Sequence, residues 1–300
     1  MYADEEMPRS NRTEAELETT HPVIRGFHKS RIGKAMSRPE TRRLVLPTYL
    51  GLVKQIDDHL GRLFAEMDRL GRSDDTMIVF TSDHGEYMGD HWMGEKDWIN
   101  EEVVRVPMIV VDPRSQADPT RGTVTDDLVE AIDLLPTFVE ALGGENESRS
   151  QWLEGKSLMP IIHDQVAPER DFVVCEADWG FLEMAHHVTN VDGPRQQRAT
   201  MIRNERYKYV LSEVGPNLLY DLQEDPDEQH EKCGDPSVQS VVTDLHEQLF
   251  SWFRSRRHDT TFSDEWMSAT SEPGGTVRRG IPIGYWDEEE LAAGMRGELY

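Results

Sequence analysis

The chain has 300 residues, 37% of them hydrophobic and 30% charged, enough apolar content to bury a core and too much for a disordered polymer. Its 32 basic and 57 acidic residues leave a net charge of −25, which argues against nucleic acid or an anionic membrane surface as a partner. Two cysteines, Cys175 and Cys233, without metal-type spacing, and an acidic, polar Met1–Glu18 in place of a signal sequence, fit a cytoplasmic protein that no apolar run ties to a membrane.

Residues 1 to about 40 read as a loop-rich lead-in with one short helix. From Tyr49, apolar residues recur at Leu52/Val53, Ile56, Leu60, Leu63/Phe64, Met67 and Leu70 with Gly71 after them, the pattern of an amphipathic helix closed by a C-terminal glycine. Pro47 falls at its start or kinks it. Asp57-Asp58 lie within this helix as solvated residues. Thr76–Thr81 and Arg105–Val111 are apolar runs of strand length, expected as buried parallel strands, and residues 125–142 read as a helix capped by Thr125 with Asp126 and Asp127 in its first turn. This is α/β grammar, covering roughly residues 41–145.

Beyond a Gly143–Ser150 linker the pattern changes. Short strands at Asp171–Cys175, Ala199–Arg203, Tyr207–Leu211 and Leu218–Leu222, with Asn204-Glu205 as a hairpin turn, predict a smaller antiparallel sheet within 146–260. A helix capped by Asp235 with Pro236 at its first position closes it. The tail 261–300 reads as a surface or oligomerisation arm, implying a homo-oligomer.

The chemistry-bearing stretch is Thr81-Ser82-Asp83-His84-Gly85-Glu86 through Lys96, directly after the first strand. Ligands of α/β sheets bind at the carboxyl ends of strands, so a carboxylate and an imidazole there are placed to meet a cation. They form a mixed oxygen and nitrogen donor set, accepted by Mn and Zn and less readily by Ca. Taken alone, the pair reads equally as a polar strand-end turn, and two ligands do not complete a site. Asp90-His91 reads as a hydrogen-bonded loop pair.

The ordered series resembles the sulfatase family of the alkaline phosphatase superfamily, and most closely its phosphonate monoester hydrolases and phosphodiesterases. The series comprises the Tyr49–Leu70 helix, S-D-H-G-E, Lys96, V-R-V-P at 104–107, D-L-L-P at 133–136, Arg206-Tyr207-Lys208-Tyr209 and Leu219-Tyr220-Asp221-Leu222. The resemblance implies an alkaline-phosphatase-like α/β fold, a mostly parallel sheet flanked by helices and incomplete here, with the smaller antiparallel sheet and helix behind it. It implies Asp83 and His84 as metal ligands, with Mn or Ca as the ion, and Lys96 as the catalytic contact to the anionic oxygens or leaving group of a small ester. His91 is implied as a supporting, substrate-side residue.

The resemblance, with His rather than Asn beside Asp83, implies a lean toward phosphonate and phosphodiester substrates. The family's C/S-x-P-x-R nucleophile, matured to formylglycine, and its first metal aspartates have no match here, and His21-Pro22-Val23 only partly resembles the family's H-P-P histidine. The expectation is therefore a C-terminal portion that needs an N-terminal half and is inactive alone. The alternative is a non-catalytic remnant or interaction module of the same fold.

Overall fold

A computed structural model describes residues 7–19, 21–96, 98–144, 153–164, 170–178, 198–255, 277–278 and 281–282. The lead-in is helical, not loop-rich. A 3-10 turn at Glu14–Glu18 precedes α1 (Pro22–Lys29), α2 (Arg31–Met36) and α3 (Pro39–Arg69). Pro22 and Pro39 stand in the first helical turn, where a missing N–H costs nothing, and the Ser30 hydroxyl accepts from Gly33 N–H at 2.9 Å to cap α2. Pro22, Arg25 and Gly26 within eight residues disguised a helix whose inner face, Val23 and Phe27, is buried.

α3 begins ten residues before the expected Tyr49 and runs through Pro47. That proline removes one donor at about 3 kcal/mol, a loss that propagation of the backbone ladder along a 31-residue helix outweighs. Asp57 and Asp58 are solvated on α3 and pair with Lys54.

β1 (Ile78–Thr81) and β2 (Met108–Val111) pair antiparallel, with Phe80 opposite Ile109, and neither holds a buried residue, so the buried parallel strands expected at these two positions are not what forms. A parallel return needs a crossover helix. The connection offers only a 3-10 turn at Asp90–Trp92 and the single turn α4 (Glu101–Val104). The helix expected over 125–142 is confined to α5 (Leu134–Ala141) after a 3-10 turn at Ala131–Asp133. Starting at 134 keeps Pro136 in the first turn, whereas a helix from 125 would put it in the interior; Thr125 instead bonds Asp127. α6 (Met159–Ile162) follows.

The C-terminal sheet forms as the alternation implied. β3 (Val173–Asp178), β4 (Arg198–Arg203), β5 (Tyr207–Ser212) and β6 (Leu218–Asp221) make a four-stranded antiparallel meander. Asp235 accepts from Ser237 N–H at 2.8 Å and starts a 3-10 turn that leads into α7 (Gln239–Ser255). One face of the sheet packs Ile202, Tyr209 and Leu219 on Leu245 and Leu249 of α7. The other packs Ala199, Met201, Val210 and Leu218 against Val23 and Phe27 of α1 and against Tyr87, Met93 and Trp98. The segment after the S-D-H-G motif is thus held between the lead-in and the C-terminal sheet. Most of the expected tail arm lies outside the described residues; within it, β7 (Val277–Arg278) pairs β8 (Ile281–Pro282).

Candidate active site

Asp83 and His84 stand just past β1, and neighbouring groups fix their geometry. Ser82 Oγ donates to the His84 carbonyl at 2.8 Å, and the Asp83 carboxylate accepts from His84 N–H at 3.1 Å. His84 Nδ1 lies 2.7 Å from the Gly85 carbonyl oxygen, a bond that requires Nδ1–H and leaves the lone pair on Nε2. Lys96 Nζ donates to that nitrogen at 2.9 Å, and Asp83 Oδ2 lies 3.6 Å from it. A carboxylate oxygen, an imidazole lone pair and a cation therefore converge on one point, with the Asp83 side chain 85% exposed toward solvent. Partial desolvation pushes the Asp83 carboxyl upward, but backbone hydrogen bonds and the nearby His84 and Lys96 outweigh it and hold it below its ordinary range. This donor chemistry fits half of a divalent-metal site. Among the described residues no group of three or more His, Cys, Asp or Glu is arranged to complete one.

Lys96 owes its place to a tightly tied loop. Gly85 N–H donates to Val103 O at 2.8 Å and Tyr87 N–H to Glu95 O at 3.1 Å, while the Glu86 carboxylate accepts from Met88 N–H at 3.2 Å and Glu95 N–H at 2.7 Å. Met88, His91, Trp92 and Glu95 all have positive φ, between 49° and 61°. Such backbone persists only where the surroundings impose it. Arg12 supplies much of that constraint, donating to Gly89 O at 3.2 Å and Met36 O at 3.3 Å and stacking 4.1 Å over Trp92, and Arg42 Nε donates to Met88 O at 3.1 Å.

His91 is held inside the loop by two carboxylates. It is 3% exposed, with Nδ1 2.6 Å from Glu16 and Nε2 3.3 Å from Glu102, while its carbonyl accepts from His28 Nε2 at 2.9 Å. Asp90 accepts from Asn11 N–H at 2.9 Å. Both residues bind the loop to the lead-in. His21 is buried too, edge-on to Trp98 with ring centroids 5.1 Å apart, and burial lowers its pKa to about 4.

Sequence reasoning missed Asn11, Arg12, Glu16, Glu102 and the buried Lys208. Lys208 Nζ lies 2.7 Å from Glu101 and 2.8 Å from Glu228, joining the C-terminal sheet to α4. The only local signal for Lys208 was its place in an alternating strand; the others carried none. A separate cleft of about 310 Å³, lined by residues including Asp133, Lys156 and Arg170, does not include the motif.

The family model described as "Sulfatase" matches residues 4–144, and that of the N-sulphoglucosamine sulphohydrolase C-terminal region matches 89–255. The chain belongs to the sulfatase family. It is 34% identical over 268 residues to the multifunctional alkaline phosphatase superfamily protein PehA of Trinickia caryophylli, covering 84% of this chain and 51% of that protein. It is also 27% identical over 188 residues to an N-acetylglucosamine-6-O-sulfatase of Bacteroides thetaiotaomicron, covering 62% of this chain and 31% of that one. The crystal structure of a phosphonate monoester hydrolase of Agrobacterium radiobacter matches with a TM-score of 0.73 at 27% identity, over 86% of this chain and 53% of that one. The fold is accordingly alkaline-phosphatase-like α/β, and the chain spans about half the length of these relatives or less. Among the described residues no helix is long and apolar enough to cross a membrane.

Proposed function

We propose that this chain contributes half of the active site of a metal-dependent hydrolase acting on small anionic sulfate, phosphate or phosphonate esters. The observation that carries the reading is the convergence of Asp83, the His84 Nε2 lone pair and the Lys96 ammonium at the end of β1. Asp83 and His84 would hold the divalent ion, Mn or Ca, which when bound polarises the ester's non-bridging oxygens. The chain's own residues do the rest of what can be assigned to it. The Gly85 carbonyl fixes the His84 tautomer, and the Lys96 ammonium offsets charge on the ester or on the departing oxygen. The tied loop that carries Lys96 removes the entropy of placing it. The phosphonate branch is favoured by the similarity to the Agrobacterium phosphonate monoester hydrolase. The nucleophile and the remaining metal carboxylates belong to the part of the fold that this sequence does not span.

Co-expression with the half of PehA that this chain does not match provides the test. Mn-dependent release of nitrophenol from an aryl phosphonate or aryl sulfate is expected, with a loss of at least 100-fold in Asp83→Ala. A soluble complex without turnover would overturn the reading and leave the non-catalytic remnant in its place.

A further inference from the structure

Lys96 and its neighbour Glu95 are both exposed, so packing does not place the ammonium against His84. Polar contacts must, and they converge on Glu86. Its backbone is fixed first. Glu86 N–H donates to Glu102 O at 3.1 Å, and the next side chain, Tyr87, is fully buried with its hydroxyl donating to Asn100 Oδ1 at 2.8 Å. From that base the half-buried Glu86 side chain reaches across the loop. One oxygen, Oε1, accepts from Met88 N–H at 3.2 Å, where the loop leaves, and from Glu95 N–H at 2.7 Å, where it returns. The Glu95 carbonyl is taken at the same time by Tyr87 N–H at 3.1 Å. Donor and acceptor of the residue before Lys96 are both tied, and that residue holds φ at 61°, a left-handed conformation that a non-glycine side chain resists. Arg12 and Arg42 grip the tip of the loop at Gly89 and Met88; Glu86 grips its exit.

These contacts close a ring. It runs from His84 to Glu86, across the carboxylate to Glu95 N–H, into Lys96 and back through Nζ to His84 Nε2 at 2.9 Å. We infer that Glu86 is a positioning residue for Lys96: by accepting the Glu95 N–H it imposes the left-handed turn that aims the ammonium at the metal motif. The role needs an acceptor oxygen of the right reach and not a charge, which sets it apart from a metal ligand or a general base. Without that oxygen the long, rotamer-rich lysine has to be ordered anew at each encounter with an anionic ester. The inference rests on the reading of Lys96 as the ester-contacting cation and extends it to the residue that holds that cation in place.

The test reads the His84 Nε2 nitrogen resonance of the intact, metal-free chain at one mildly alkaline pH. Lys96→Met, which removes the ammonium, marks the position of a broken contact. Glu86→Asp keeps the charge and withdraws the oxygen by one methylene; it should move the resonance at least half of the way to that mark. Glu86→Gln keeps the reach with a neutral and weaker acceptor, and should move it less than half as far as Glu86→Asp does. Glycine adopts positive φ freely, so adding Glu95→Gly to Glu86→Asp should restore at least half of the displacement. A Glu86→Asp resonance that stays with the unmodified chain overturns the proposal. So does a Glu86→Gln resonance displaced as far as that of Glu86→Asp, since that outcome makes charge the requirement, and so does a failure of Glu95→Gly to restore it. Circular dichroism confirms that each variant keeps its fold. No ester and no metal enter the measurement, so its failure leaves the hydrolase reading standing, while absence of turnover in the co-expression test leaves the Glu86–Lys96 geometry standing.

Discussion

His91 Nδ1 lies 2.6 Å from Glu16 Oε1, joining positions 75 apart in sequence, and the opposite ring nitrogen lies 3.3 Å from Glu102. Burial opposes a charge on this imidazole, but the hydrogen bonds to Glu102 and Glu16 outweigh it and raise the pKa from 6.5 to about 10. A folded-state pKa above the unfolded one means that the stabilisation is fully present below pH 6.5 and is lost as pH rises through about 10. The urea midpoint of the chain should therefore fall across that window. His91→Asn should flatten the slope and lower stability at pH 6 by about 3 kcal/mol, the low end of the cost of leaving largely desolvated carboxylates without their cation. An identical slope in the variant would remove the imidazolium from the account.

Gly85 of the S-D-H-G motif is required by space rather than by its dihedral angles. A Cβ there would sit 1.8 Å from Glu102 O and 2.8 Å from its carbonyl carbon, both backbone atoms that cannot rotate away. Gly85→Ala should cost about 3 kcal/mol, the upper end of overpacking, and should displace Glu102 from His91. Amide exchange at Glu86 and Val103 would report the displacement; unaltered protection at both would show that the loop tolerates a methyl group.

The site was legible where its chemistry is local. Asp83, His84 and Lys96 fall within fourteen consecutive residues, and strand-then-motif order alone placed them at a strand end. What held them was not legible, because the partners are remote: Arg12 reaches Gly89, Glu16 reaches His91, and Lys208 reaches Glu101 across 107 positions. Strand direction failed for a related reason. Apolar runs such as Met108–Val111 look the same in parallel and antiparallel sheets, and only the lack of a crossover helix between 81 and 108 decides between them. From β4 through β6, where short turns fix the pairing, alternation and turn residues gave the antiparallel order directly.

Lys208 is fully buried in β5 between Glu101 and Glu228, and Arg203 lies 3.2 Å from the same Glu101 oxygen as Lys208. Removing one partner of such a group leaves uncompensated charge, so Lys208→Met should destabilise by about 3–5 kcal/mol. The double variant with Glu228→Gln removes the stranded carboxylate together with the lysine, leaves Glu101 to Arg203, and should recover at least half of that loss. Urea unfolding of both variants decides the matter: a double variant no more stable than Lys208→Met would mean that steric fit, rather than charge, sets the cost.

Lys96 occupies the His84 lone pair at 2.9 Å, so in this chain an ammonium competes with any added cation for that nitrogen. Removing the ammonium frees the donor and withdraws a like charge from the point where Asp83 and His84 converge. With the point open to water the relief is about 1 kcal/mol, or roughly fivefold in affinity. Lys96→Met should therefore bind Mn²⁺ about fivefold more tightly than the unmodified chain in calorimetry, with Asp83→Ala abolishing the gain. The same substitution should slow ester hydrolysis by the reconstituted complex, because the charge that hinders the metal in isolation is the one that offsets the anionic ester. Opposite signs for metal affinity and turnover are what a substrate-contacting lysine requires; a solvated bystander would move neither, and a metal-ordering residue would lower both.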